Sequence, residues 1–202
     1  GARAALAECG TIPGMLRLLH TADVHLGARH ADLGDRAAAQ RERQFAAFRA
    51  TVDLALAERV DALLIAGDLF DSNTQPRRSV ERTVAELKRL ADAAVRVVII
   101  PGTHDAYDGA SIYRAYDLAA MAGLPPDSDR LVVLTPDRPD VVYGILDLAV
   151  HGFVFPTRRA PRSPLAGFSA AADGRARWHV GLIHGSLAIP GKTDADEVVF
   201  SA

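Results

Sequence analysis

Four apolar runs in this chain stop abruptly at clusters of aspartate, histidine and glycine. Leu16 to His20 precedes Asp23-Val24-His25, Ala62 to Ala66 precedes Gly67-Asp68-Leu69-Phe70-Asp71, Val95 to Ile100 precedes Gly102-Thr103-His104-Asp105, and His179 to Ile183 precedes His184-Gly185. Short runs of Val, Ile and Leu bounded by turn residues read as strands covered on both faces. Helical patterns separate the first three. Phe45, Phe48, Val52, Leu54 and Leu56 mark a buried stripe in Arg36 to Arg59, and Pro76 opens a stretch to Ala93 in which Val80, Val84, Leu87 and Leu90 recur at helical intervals. The order β-α-β-α-β predicts a parallel α/β core whose site lies in loops at the carboxyl ends of the strands.

A third helix is expected over about Ser111 to Ala122, followed by short strands at Leu131 to Leu134, Val141 to Ile145, Leu148 to Val154 and His179 to Ile183. Arg158 to Arg177, rich in Pro, Arg, Ser and Ala, reads as a long exposed loop within the same domain. Its Arg158, Arg159, Arg162, Arg175 and Arg177 permit phosphate contacts, though a solvated loop is the commoner explanation for such charges.

Buried charge needs partners, and several strands ending in Asp or His at one sheet edge can share a cation. In an extended segment Asp23 and His25 project to the same side and suit chelation of one ion. Asp68 stands where both oxygens of one carboxylate can bridge two cations. Asp71 or Ser72 alternatively caps the following helix. His104 can ligate a metal or exchange protons near neutral pH. His184, between Gly181 and Gly185, has room for a metal or phosphate, with a core histidine as the alternative. His20, His30, His151 and His179 are assigned to structure.

At 202 residues and 49% hydrophobic composition the chain suits one ordinary domain, expected over 15–202 with Gly1 to Gly14 as an N-terminal extension or remnant outside the fold. The formal charge of −2 gives no global attraction to polyanions. Cys9 is the single cysteine, so no internal disulfide forms and a cytoplasmic setting is expected. No apolar run approaches the ~18 residues of a membrane span, so no membrane partner is expected.

Together, D-x-H, GD-x-x-D, the Gly-Thr-His-Asp cluster and a strand-ending His, in this order over roughly residues 16 to 190, resemble the calcineurin-like metallophosphoesterases. Leu18-Leu19-His20-Thr21-Ala22-Asp23-Val24-His25-Leu26-Gly27 and Gly67-Asp68-Leu69-Phe70-Asp71 are similar to the SbcD-type DNA-repair exonucleases. The resemblance implies a four-layer α/β/β/α sandwich with mixed sheets. It implies two divalent ions, most often Mn2+, with Asp23 and His25 on the first, Asp68 bridging and His184 on the second. A water activated between them would attack a DNA phosphodiester, with His104 as the acid and Asp71 holding its imidazole. DNA, an SbcC-type ATPase and a second copy of the chain are the implied partners.

Two departures from the family pattern matter. Thr103 stands where the family carries Asn, and its shorter hydroxyl predicts a weaker second metal site or one bridged by water. No Gly-His-x-His follows, so the expectation is a domain truncated in its C-terminal part and lacking two ligands. A phosphomonoesterase, a cyclic-nucleotide phosphodiesterase or a weakened scaffold on the same fold remain the alternatives.

Overall fold

Strands β1 (Leu18–Thr21), β2 (Ala62–Ala66), β3 (Arg96–Ile100) and β4 (Leu131–Val133) pair in parallel, in that order, as one sheet. The computed structural model describes residues 15–154, 156–157, 163, 165, 174–187 and 199–200. Leu63 pairs with Leu19 on one side and Val97 on the other, so strand alternation is in phase across the sheet. Leu19, Leu63, Ile65, Val97, Ile99 and Leu131 therefore enter one core, and Leu18, Leu64, Val98, Ile100 and Val132 enter another. Having a core on each side explains why these strands are apolar throughout.

Helices α1 (Ala37–Ala57) and α2 (Arg77–Asp92) fill the first core. α2 contributes Val80, Val84, Leu87 and Leu90 as expected, whereas α1 contributes Phe45, Phe48, Val52 and Ala55, with Leu56 partly buried and the expected Leu54 turned out to solvent, one position off the buried face. A 3₁₀ segment, Ala31–Arg36, precedes α1 where the sequence suggested only loop. The expected third helix is two, α3 (Ile112–Ala115) and α4 (Leu118–Met121), because Tyr116 is extended at φ −132° and ψ 116°. Ser111 and Asp117 each accept a capping bond, from the N–H groups of Tyr113 and Ala120, so the sequence supplies two helix starts close together.

The second core lies between the first sheet and a mixed one, in which β5 (Asp140–Tyr143) runs antiparallel and β7 (Trp178–Ile183) parallel to the central β6 (Leu148–Phe153). Val141, Tyr143, Leu148, Val150 and Leu182 face inward. A Cβ at Gly152 would come within 2.7 Å of Leu134 and 3.0 Å of Ile100, so the sheets meet there at bare backbone. β8 (Ser186–Leu187) and β9 (Val199–Phe200) form a short parallel pair the sequence did not reveal.

The α/β class with two sheets is as expected, and the described residues supply the α/β/β layers. The described residues contain no second helical layer, and Gly1 to Gly14, Arg158, Arg159 and Arg162 lie outside them. Arg175 pairs with Asp140 at 3.0 Å and the Arg177 guanidinium lies 5.0 Å from the Trp178 ring centre, so both have structural contacts. None of the four histidines assigned to structure belongs to the two donor sets around Asp68, although His30 lines the same cleft as His25 and His104. His151 Nε2 and His179 Nδ1, for example, lie 3.0 Å apart across β6 and β7.

Candidate metal centre

The loops after β1 and β2 run side by side as an extension of their parallel pairing. Asp23 N–H donates to Gly67 O at 3.3 Å, His25 N–H to Asp68 O at 2.9 Å and Leu26 N–H to Leu69 O at 2.9 Å, and Asp71 N–H returns to Leu26 O at 3.1 Å. Within this ribbon Asp23, His25 and Asp68 have φ of 54°, 50° and 52°. Left-handed backbone costs energy at residues with a Cβ, and three such positions in one site mark a geometry held by its surroundings. Asp23 and His25 thus converge through left-handed turns rather than the extended alternation expected, with Asp23 Oδ1 and His25 Nε2 3.9 Å apart.

Asp68 is the hub and only 2% exposed. Its Oδ1 accepts the His104 N–H at 2.8 Å, and its Oδ2 lies 3.3 Å from His184 Nε2, 3.5 Å from Thr103 Oγ1 and 3.8 Å from His25 Nε2. Two sets of donor atoms, each with members within 4.8 Å of one another, share it: Asp23, Asp68 and His184, and His25, Asp68 and His104. The sets divide the side chains differently from the pairing implied by the resemblance, which joined Asp23 to His25.

His184 arrives from the other sheet, at the end of β7, and its Nδ1–H donates to Ala66 O at 2.8 Å. That bond leaves Nε2 directed at the Asp68 carboxylate. Two electron-rich atoms can face each other at this distance only with positive charge between them. Burial opposes a proton on His184, but the bond to Asp68 and the attraction of its carboxylate raise the pKa to about 9. Burial likewise works to raise Asp68, and the His184 bond overrides it to hold the carboxyl below its usual range. A divalent cation supplies the same charge from the same place, and the carbonyl behind Nδ1 is the usual outer support of a ligating histidine. Gly67 completes the arrangement, since any Cβ there would overlap the His184 ring and its φ is 85°.

The other set is more open. His25 Nδ1 is buried without a hydrogen bond, its nearest ion-pair partner being Asp71 Oδ1 at 3.6 Å, while the ring meets His104 edge-on with centroids 4.6 Å apart. His104 is exposed, and its Nδ1–H donates at 3.0 Å to the main-chain carbonyl of Asp71. Asp71 therefore orients His104 through its backbone, and its carboxylate faces His25. The donor set of two carboxylates, imidazoles and a hydroxyl fits a divalent cation of borderline softness.

Asp105 has no role in the motif pattern but a structural one in the fold. The fully buried Asp105 carboxylate accepts from Gly102 N–H at 2.7 Å, Phe70 N–H at 3.1 Å and Asp68 N–H at 3.3 Å, and from the Tyr113 hydroxyl. It ties the loop after β2 to the loop after β3. Burial pushes its pKa up against the pull of those donors. The sequence signal was an aspartate directly beside His104 at a strand end. Gly102 is needed beside it, because a Cβ there would strike Asp68.

A cleft of about 1500 Å³ is lined by His25, Asp71 and His104 together with Arg29, His30 and Arg41. Among the described residues no helix is long and apolar enough to cross a membrane.

Comparison with known proteins accords with this geometry. The chain is 45% identical over 91 residues to the DNA double-strand break repair protein Mre11 of Aeropyrum pernix, covering 45% of this chain and 21% of that one. It is 31% identical over 135 residues to Mre11 of Sulfurisphaera tokodaii, covering 64% and 32%. An uncharacterized metallophosphoesterase, YhaO of Bacillus subtilis, is 25% identical over 178 residues, covering 85% and 41%. The chain spans less than half the length of each of these relatives. The sequence model of the calcineurin-like phosphoesterases matches residues 16–188, nearly all that the structure describes, and the chain belongs to that family.

Proposed function

We propose that this chain hydrolyses DNA phosphodiesters as the nuclease domain of an SbcD- or Mre11-like repair protein, using two divalent cations, most favourably Mn2+. The observation that carries this is the sharing of Asp68 between two donor sets at one sheet edge. Asp23, Asp68 and His184 would hold one cation, and His25 with Asp68 the other. When bound, the metals supply Lewis acidity toward the phosphoryl oxygens and acidify water.

The chain's own residues account for the rest. His104 is fixed by donation from Nδ1 to the Asp71 carbonyl, so Nε2 faces the cleft, and in the imidazolium form it carries the proton that the leaving oxygen needs. Arg29 and Arg41 on the cleft wall offer charge to flanking phosphates. Thr103 sits beside Asp68 at 3.5 Å, and its hydroxyl supports a second cation less directly than an amide would. An SbcC-type ATPase, a second copy of the chain and a cytoplasmic setting belong to the same proposal.

Manganese titration by calorimetry, followed by assay on single- and double-stranded DNA, tests it. Binding at micromolar metal with cleavage is expected. Binding with hydrolysis only of phosphomonoesters would move the substrate, and failure to bind metal would leave a scaffold.

A further inference from the structure

We propose that a second cleft, between the loop after β3 and strand β4, holds the base of a nucleotide beside the scissile phosphate; the role rests on the nuclease reading. The cleft measures about 340 Å³, the small end of ligand sites and suited to one nucleotide unit rather than a duplex. Tyr107, Tyr116, Arg114 and Arg138 line it. Tyr107 is three residues beyond His104, so the cleft and the metal cluster share a loop.

The wall chemistry selects a planar, anionic ligand. The Arg114 guanidinium lies 4.3 Å from the Tyr107 ring centre, layering a flat cation on an aromatic face. Arg114 is exposed, so its outer face can take the next ring in the stack. Arg114 and Arg138 enter no ion pair among the described residues. Asp117, the acidic lining residue, is engaged as the cap of α4, where it accepts from Ala120 N–H at 3.0 Å. Aromatic and guanidinium faces with local positive charge are the usual platform for unpaired bases. Tyr113 forms part of the same wall and bonds to Asp105, which holds the Asp68 and Gly102 backbones. A base in this cleft therefore sits against the brace of the metal centre.

Calorimetric titration with thymidine 5′-monophosphate and with deoxyribose 5-phosphate, in chelator, tests the cleft without turnover. The nucleotide is expected to bind about tenfold or more tightly than the sugar phosphate. Arg114→Ala and Tyr116→Leu should each weaken the nucleotide about fivefold or more, and Arg114→Lys, which keeps charge but loses the plane, should not restore it. Lys88→Ala, exposed on α2 and lining neither cleft, should change nothing. Equal binding of the two ligands, or an Arg114→Ala isotherm like that of the unaltered chain, overturns the proposal. Manganese-dependent hydrolysis of a simple phosphodiester, measured in parallel, reports separately on the nuclease reading. Its absence with intact nucleotide binding would refute the nuclease role and leave the base site standing.

Discussion

Replacing Asp105 by asparagine changes few atoms but reverses one half of a crowded hydrogen-bond centre. One carboxylate oxygen accepts from Gly102 and Asp68, the other from Phe70 and Tyr113. An amide must turn its NH2 toward one of these pairs of donors. Facing Tyr113 is the cheaper choice, because the hydroxyl can rotate to accept, yet the Phe70 N–H is left unpaired. The amide hydrogen that meets it is unpaired as well, and at about 1–3 kcal/mol for each of these two buried groups the expected loss is about 2–6 kcal/mol. Urea unfolding followed by circular dichroism measures it directly. The substitution should also weaken manganese at least about tenfold, the usual scale for an outer support of a metal site. Tyr113→Phe breaks the same buried bond, so the double variant should lose less than the sum of the single ones. A destabilisation under about 1 kcal/mol with unchanged metal affinity would refute the view that this carboxylate locks the two loops.

Asp71→Asn should leave His104 oriented, since the bond runs to the main chain, and weaken metal at His25 by about 10- to 100-fold; calorimetry and a pH–rate profile would separate the two effects. In the metal-free chain His184 is raised to about 9, so its stabilising bond is fully present below the ordinary value near 6.5 and lost as pH rises through about 9. Manganese must displace that proton, so its affinity should climb about tenfold per pH unit across the same interval, as titrations at several pH values would show. Thr103→Asn should strengthen the second metal, and an unchanged isotherm would count against Thr103 as the weak point. Gly67→Ala should destabilise the fold by more than the ~1 kcal/mol of a glycine change at left-handed φ, because the new Cβ also displaces the His184 ring; thermal melts would register it.

The strands and the site loops were legible because both are local properties of the chain. A strand covered on both faces has to be apolar at every position, and Ala62–Ala66 and Arg96–Ile100 match their runs closely. Asp23, His25, Asp68, His104 and His184, which the structure brings together, were named from motif order. What escaped notice depended on distant partners or on backbone shape. Asp105 looks like any loop aspartate until Gly102, Asp68, Phe70 and Tyr113 gather round it. Asp71 was matched to His104, but sequence carries no record of whether a side chain or, as here, a carbonyl does the bonding. The break at Tyr116 was hidden by continuous apolar spacing, although Asp117 announces a new helix start.

The in-phase alternation of the parallel sheet limits how this centre can be altered. Odd positions of β2 and β3 face the helices and even positions face the second sheet. Inserting one residue in either strand would exchange every side chain between two cores of different shape and carry Asp68 or His104 about 3.3 Å along the strand. Length changes are thus confined to the loops beyond the ligands. Variation of this centre, natural or engineered, must proceed by exchange of side chains on a fixed backbone.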